Sequence, residues 1–403
     1  MLNKVVVTGM GCISGIGKNI EEFWSGLCRG ANYIDNIVGS FHDVKISKGA
    51  QVRDYVPEDY FKKEELLLLD RFSQFSLIAA REAISNSGLM DEHEILRKAA
   101  VIIGTGCGGK QTDEDTYFSL YVNKKSRVHP LTIPKGMPSA AASMVSQCLG
   151  IKGPVFSVTS ACASGAHAII QGTIMIRSGI VDTVLVGGSD APFTYGLLKA
   201  WEALRVVSND TCRPFSRDRS GIVLGEGAGM LVLESQRQVS ARGLKKNIEV
   251  VGCGMSSDAG HITRPDVNGI VAAIQAALAD GGLAAEQVDY INAHGTGTVA
   301  NDEVETKAIN QVFGGYARNL AISSTKSMHG HALGASSAME FISTVLTLEN
   351  GIMPPTMNYL GKDQACDLDY IANNARKKQA TAALSNSFAF GGLNAVLAAK
   401  LME

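Results

Sequence analysis

Cys162 lies in the run Val158-Thr159-Ser160-Ala161-Cys162-Ala163-Ser164-Gly165-Ala166-His167, where an apolar stretch gives way to small residues and then to the helical pattern Ala166-His167-Ala168-Ile169-Ile170. The pattern puts a thiol at a strand-to-helix turn. The amides and the positive dipole end of the following helix would stabilise a thiolate there, and the small neighbours would let a substrate approach, so the position suits a nucleophile. The competing reading is a buried cysteine packed as a small hydrophobe. What separates the two is the second half of the chain, with His294 in Asn292-Ala293-His294-Gly295-Thr296-Gly297-Thr298 and Lys326 and His331 in Ser324-Thr325-Lys326-Ser327-Met328-His329-Gly330-His331-Ala332-Leu333-Gly334. Both histidines fall at glycine-punctuated element ends, where side chains point into clefts. A thiol facing two imidazoles and a lysine can do covalent chemistry, the thiol attacking and the imidazoles donating hydrogen bonds or carrying protons.

These residues need a frame to hold them. Apolar, β-branched runs (Val5-Val6-Val7, Val101-Ile102-Ile103, Val184-Leu185-Val186, Met230-Leu231-Val232-Leu233) alternate with helical patterns such as Ser76 to Asn86 and Ile270 to Ala279. Short buried strands between helices predict an α/β fold, with glycines at strand ends (Gly104, Gly106, Gly187, Gly188) permitting the tight turns where sites form. The chain also repeats itself. Ala83-Ile84-Ser85-Asn86-Ser87-Gly88-Leu89, followed by Val101 to Gly106, is echoed by Ala277-Leu278-Ala279-Asp280-Gly281-Gly282-Leu283 and then Tyr290 to Gly297. Likewise Val6-Val7-Thr8-Gly9-Met10-Gly11 resembles Val250-Val251-Gly252-Cys253-Gly254-Met255. Two related halves, 1–247 and 248–403, are expected to pack as one body.

Composition narrows the function classes. In 403 residues, 37 Lys and Arg face 39 Asp and Glu with no long charge run, which argues against nucleic-acid binding and against a polybasic membrane surface. The opening apolar run is too short for a signal peptide, and no apolar segment reaches membrane-spanning length. The eight cysteines (Cys12, Cys28, Cys107, Cys148, Cys162, Cys212, Cys253 and Cys366) show neither paired CxxC nor metal-ligand spacing, so no metal and no disulfide framework is expected, and a reducing cytoplasm fits.

Together these motifs carry a family resemblance. The Cys162 turn, Arg213-Pro214-Phe215-Ser216-Arg217-Asp218-Arg219-Ser220-Gly221 with Gly225-Glu226-Gly227-Ala228, the His294 turn, the Lys326 to His331 segment and Asn386-Ser387-Phe388-Ala389-Phe390-Gly391-Gly392 resemble the elongating β-ketoacyl-acyl-carrier-protein synthases over nearly the whole length. The resemblance implies a thiolase-like duplicated fold, two βαβαβαββ-type halves in an α-β-α-β-α layering. It implies a decarboxylative condensation in fatty-acid or polyketide elongation, with substrates carried on the 4'-phosphopantetheine of an acyl carrier protein and no bound cofactor. Residue by residue, it makes Cys162 the acylated nucleophile and His294 and His331 the donors to the malonyl thioester. Lys326 would order the site beside Glu305 and Glu340. The N–H groups of Cys162 and Phe390 would form the oxyanion hole. Thr296 and Thr298 would bind pantetheine amides, although their hydroxyls could equally cap the turn. Phe388 and Phe390 would gate the site opposite a loop containing Asp258 and Thr263, and Cys107, Thr194 and Leu198 would line the acyl pocket.

Departures from the family pattern sharpen the reading. Ala389 and Leu393 stand where the family has glycine and threonine, which implies a stiffer gate. The segments Gly188 to Pro192, Ala200 to Arg205 and Thr298 to Glu303 look closer to specialised ketosynthases of nodulation-factor lipids or aryl polyenes. His167 reads as a packed helix histidine, and His329 as a surface residue without a role. A homodimer is expected, with a heterodimer with a chain-length-factor homologue as the alternative. A few Lys or Arg should flank the Cys162 entrance to meet an acidic carrier. A non-catalytic pairing subunit would not need Cys162, His294, Lys326 and His331, and a non-decarboxylating thiolase would need a second cysteine that the Phe390 turn lacks.

Overall fold

The computed structural model describes residues 3–39, 41 and 43–402. Its first half contains β1 (Val5–Ser14), α1 (Arg71–Ser87), β2 (Ala100–Gly104), α2 (Lys110–Tyr121), α3 (Ala140–Leu149), β3 (Val155–Val158), α4 (Ser164–Arg177), β4 (Thr183–Asp190), α5 (Tyr195–Leu204) and β5 (Gly227–Ser235). The second half contains β6 (Ile248–Ser257), α6 (Val267–Asp280), β7 (Tyr290–Asn292), α7 (Val299–Phe313), β8 (Ala321–Ser323), α8 (Lys326–His329), α9 (Gly334–Asn350), β9 (Ala382–Ala389) and β10 (Leu393–Leu401).

The ten strands form a continuous sheet in the order β3-β2-β4-β5-β1-β6-β10-β9-β7-β8. Read outward from the centre, each half has its own first, fifth, fourth, second and third strand, so the internal repeat of the sequence is a repeat of topology. The halves meet through an antiparallel β1–β6 contact at Val6↔Glu249. In each half the outer three strands are parallel and the inner pairings antiparallel. Strands β1, β2, β4 and β5 are buried along their whole length, as sheets covered on both faces require.

Layering follows from which helices are buried all round. Helix α1 covers β1 and β5 from one side and α6 covers β6 and β10, while α4 and α9 lie between the halves, α9 touching β4 and β5 as well as β9 and β10. The result is α-β-α-β-α. Every residue of α9 from Gly334 to Leu348 is buried, yet the segment is rich in Ser and Thr. Two of its threonine hydroxyls bond back within the helix: Thr344 Oγ1 donates to Glu340 O at 2.8 Å and Thr347 Oγ1 to Ser343 O at 2.8 Å.

Small residues bring the central elements together. A Cβ on Gly188, at the end of β4, would lie 2.5 Å from Gly334 O, and one on Gly165 would lie 2.8 Å from the same oxygen. The first turns of α4 and α9 therefore touch backbone to backbone. Cys162 precedes Gly165 and His331 precedes Gly334 by the same short interval, so this contact sets thiol and imidazole side by side.

Gly188→Ala forces α9 away from β4 and should cost about 1–3 kcal/mol of stability, as overpacking does. Chemical denaturation would register this as a lower midpoint at unchanged slope, and an unchanged midpoint would contradict the close approach.

Candidate functional site

The turn that carries Cys162 is strained. Ala161, which precedes Cys162, has φ +49, a left-handed conformation in a residue with a Cβ. Ser164, first residue of α4, holds the turn: its Oγ accepts from Ser160 N at 2.9 Å and donates to Ala161 O at 2.6 Å. His167 packs against the same turn, its Nδ1 2.8 Å from Ser160 Oγ. Cys162 is only 7% exposed. Burial pushes its thiol up to about 11, against the positive charge of Lys326 and the Phe390 N–H that favour the thiolate, while Asp190 and Glu340 raise it further. The expectation of a resting thiolate is thereby corrected: desolvation outweighs the helix terminus, and the resting group is a thiol.

His331 stands directly over the sulfur, Nε2 3.0 Å from Cys162 Sγ. Its tautomer follows from its other nitrogen. Leu333 N–H donates to His331 Nδ1 at 3.1 Å, so Nδ1 carries the lone pair and Nε2 the proton. Leu333 is itself held at φ +49 to aim that amide. His294 follows β7 on a turn in which Gly295 and Gly297 have φ +36 and +78, values that favour glycine. Its Nδ1 faces the Lys326 ammonium at 3.3 Å, which again leaves the proton on Nε2. The two rings stand edge to face with centroids 5.7 Å apart.

Lys326 opens α8 and is fully buried. Its Nζ pairs with Glu340 of α9 at 2.5 Å and donates to His294 O at 2.7 Å. Glu305 of α7 does not touch it. That carboxylate instead accepts from the N–H groups of His294 and Gly295, both at 2.8 Å, and from Asn386 Nδ2 at 3.2 Å, fixing the turn. Burial, the Lys326 charge and their neighbouring histidines hold His294 and His331 well below the ordinary imidazole range, so both are neutral at physiological pH. Burial lifts the Glu340 carboxyl to about 7 despite its lysine.

Cys162, His294 and His331 present ligand atoms that lie within 4.8 Å of one another, a spacing a metal ion could bridge. The arrangement does not suit one. His331 Nε2 carries its proton toward the thiol, both Nδ1 lone pairs face donors, and a buried ammonium sits alongside.

Two cavities meet at the thiol. A cleft is lined by Cys162, His294, His331, Thr263, Thr296, Thr298 and Phe388, with exposed Arg264 also on its wall. Arg264 has no ion-pair partner among the described residues. Thr298 is also the N-cap of α7, accepting from Asn301 N at 3.3 Å, and its hydroxyl is 2.9 Å from that of Thr296. The capping alternative thus holds for Thr298 together with its place on the cleft. A second, apolar pocket is lined by Cys107, Ala161, Cys162, Leu197, Ala200, Trp201, Leu204, Leu333 and Phe390. Thr194 and Leu198 do not line it. Leu197, Ala200, Trp201 and Leu204 form one stripe of α5, and Leu198, about 100° away, packs into the core with Phe193, Ile222 and Leu224.

Phe388 lies within the β9–β10 ladder opposite Asn394 and packs on His294, with centroids 6.0 Å apart. Phe390 lies beyond the strand on a turn completed by Gly391 and Gly392, at φ +84 and +69. That turn is tied to the 258–265 loop, Gly391 N donating to Ile262 O at 2.7 Å and Asp258 N to Gly392 O at 2.9 Å. His329, expected at the surface, is wholly buried, its Nε2 3.0 Å from Thr325 Oγ1 and its ring against Phe23. Burial lowers it to about 3. The short α8 is enclosed on all sides, which its local polarity does not disclose. Two residues escaped the sequence reading. Asp190, fully buried, accepts from the N–H groups of Gly106 (2.8 Å), Cys107 (3.0 Å) and Gly334 (2.7 Å), tying the apolar pocket to α9. Trp201 stacks on Phe390.

Fold and site define a thiol enzyme of duplicated α/β architecture, with a buried cysteine from one half and two neutral imidazoles from the other. The chain belongs to the β-ketoacyl synthase family: the N-terminal domain of that family matches residues 2–238 and its C-terminal domain residues 248–360. It is 48% identical to nodulation protein E of Rhizobium sp. (strain N33) over 399 residues, 99% of each chain. It is 39% identical to 3-oxoacyl-[acyl-carrier-protein] synthase 2 of Staphylococcus aureus (strain COL) over 408 residues, again 99% of each. Among solved structures, the ishigamide ketosynthase/chain length factor superposes with a TM-score of 0.94 at 35% identity, covering 100% of both chains.

With the thiol near 11, the rate of Cys162 alkylation by iodoacetamide should still be rising between pH 9 and 10. A plateau below pH 8.5, measured against Cys162→Ala, would contradict the protonated resting state.

Proposed function

We infer that the chain catalyses the decarboxylative condensation of its family, joining a Cys162-bound acyl group to a malonyl unit carried by an acyl carrier protein. The observation that supports this most strongly is the cluster of Cys162, His294 and His331, with His331 Nε2 3.0 Å from the sulfur and each imidazole fixed through its Nδ1. Cys162 attacks the thioester of an acyl-carrier, and its proton leaves with the released pantetheine thiol. Malonyl-carrier then enters the cleft, its pantetheine amides near Thr296 and Thr298. The two imidazoles donate to its thioester carbonyl as carbon dioxide departs, so the electron pair is held as an enolate. The enolate carbon attacks the Cys162 thioester. The N–H groups of Cys162 and Phe390 receive the tetrahedral oxyanion, one such donor being worth ~3–4 kcal/mol. Collapse releases β-ketoacyl-carrier and a thiolate that takes up a proton.

In this reading residues 1–247 supply the nucleophile and 248–403 the histidines, Lys326 and the Phe390 gate, with Lys326 and Glu305 as positioning residues. Asp258 and Thr263 belong to the loop against which the gate moves, and Cys107 lines the acyl pocket. Elongation in fatty-acid or polyketide synthesis is the setting, in the cytoplasm. The working unit is a homodimer. Support comes from β3, which has no further strand on its outer edge among the described residues, and from exposed Phe156, Tyr117, Phe118, Tyr121 and Ile133. No helix among the described residues is long and apolar enough to cross a membrane. The ishigamide ketosynthase/chain length factor supplies the alternative, a heterodimer with a chain-length-factor homologue, which the complete residue set of this chain does not require.

Intact-mass analysis with acyl-carriers should show an adduct that Cys162→Ala abolishes and that malonyl-carrier converts to β-ketoacyl product with loss of carbon dioxide. His294→Ala should lower malonyl decarboxylation by about 10²–10³-fold while leaving the adduct intact. Because both imidazoles sit well below their ordinary range, decarboxylation by the unmodified protein should be flat from pH 8 down to pH 6. A fall centred near pH 6.5 would contradict neutral donors held against protonation.

A further inference from the structure

The cleft and the apolar pocket share Cys162, Trp201 and Phe390 among their lining residues. The Trp201 and Phe390 rings stack with centroids 6.1 Å apart and planes 29° from parallel, so the pair forms the partition between the two spaces. Its two leaves are held differently. Trp201 is 8% exposed and seated in a core cluster with Phe193, Leu198, Ile222, Leu224 and Leu333, on the regular helix α5. Phe390 rides on the two-glycine turn, where Gly391 and Gly392 provide left-handed hinges, and is held by the backbone bonds to Ile262 and Asp258. An acyl chain delivered from the cleft reaches the apolar pocket only when Phe390 leaves Trp201.

We propose that Trp201 is a specificity-determining residue: it is the fixed leaf against which Phe390 closes, and breaking this stack is the toll on acyl chains long enough to pass it. The inference rests on the condensing reading above. Transfer itself exchanges one thioester for another, Cys162 losing its proton to the departing pantetheine sulfur. A short acyl group is accommodated at the sulfur on the cleft side, so its transfer does not require the stack to open. A longer chain must enter between the rings. An aromatic stack of this kind biases an open–closed equilibrium by about two- to tenfold.

The test measures rates of Cys162 acylation by mass spectrometry with acetyl-, butyryl-, hexanoyl- and octanoyl-carriers, for the unmodified protein, Trp201→Ala and Trp201→Phe. Trp201→Ala should raise the ratio of the octanoyl to the acetyl transfer rate by about two- to tenfold. Trp201→Phe, which keeps a ring to stack on, should return that ratio toward that of the unmodified protein. Circular dichroism and the thermal midpoint of both variants report whether the fold is kept. An unchanged or lower ratio in folded Trp201→Ala would overturn the proposal. Acylation of the unmodified protein by none of the carriers would overturn the condensing reading itself and the proposal with it.

Discussion

A single buried ammonium organises this site. Lys326 has no access to water, and a cation in that position is tolerated only when its charge and its protons are met within the protein. Glu340 meets the charge and the His294 carbonyl and Nδ1 take up donors, so the cost of burial is offset by contacts that also fix the orientation of an imidazole. Burial first, and then the same charge, keep both histidines deprotonated, and the charge pulls the Cys162 thiol in the direction of ionisation. Removing the lysine would leave Glu340 as an unpaired buried carboxylate and His294 free to change tautomer. A general-base role for Lys326 finds no support in this arrangement, since its protons are already committed.

The fold explains why such a cluster can exist. Helix α9 carries Glu340 on a segment buried between both halves, and the duplicated topology places the first turn of α4 against the first turn of α9. The glycine contacts at Gly165, Gly188 and Gly334 shorten that approach to backbone distance. Asp190 reinforces it, since one carboxylate collects amides from the loop of Cys107 and from the start of α9. Strain is concentrated at the same place: Ala161 and Leu333, both at φ +49, flank the thiol–imidazole contact. Each such conformation costs of order 1–3 kcal/mol and persists because the surrounding packing over-determines it.

Much of this was legible in the sequence. The α/β pattern, the internal repeat and the four chemical residues stood out because each lies where a β-branched run or helix meets glycine, a local signal that survives without coordinates. The resemblance carried the fold class and the reaction. What was not legible depends on which face of an element is turned inward over long range. Leu198 was exchanged for Leu197, Ala200, Trp201 and Leu204 because a one-residue error on a helix rotates the choice by about 100°. His329 reads as polar and local but is sealed by elements distant in sequence, Phe23 among them. Asp190 ends a strand of apolar and small residues, and nothing local shows that three distant amides converge on it. The thiolate expected at the helix terminus gave way to a thiol because burial cannot be read from a ten-residue window.

Two neutral imidazoles beside one sulfur, each fixed through its Nδ1, carry the proposed chemistry. The most direct measurement is ¹⁵N NMR of protein labelled at histidine, with His294→Ala and His331→Ala used to assign the signals, recorded from pH 5.5 to 8. Both residues should show a protonated Nε2 and an unprotonated Nδ1 across the whole range. Titration of either to imidazolium near pH 6.5, or a proton resident on Nδ1, would contradict it.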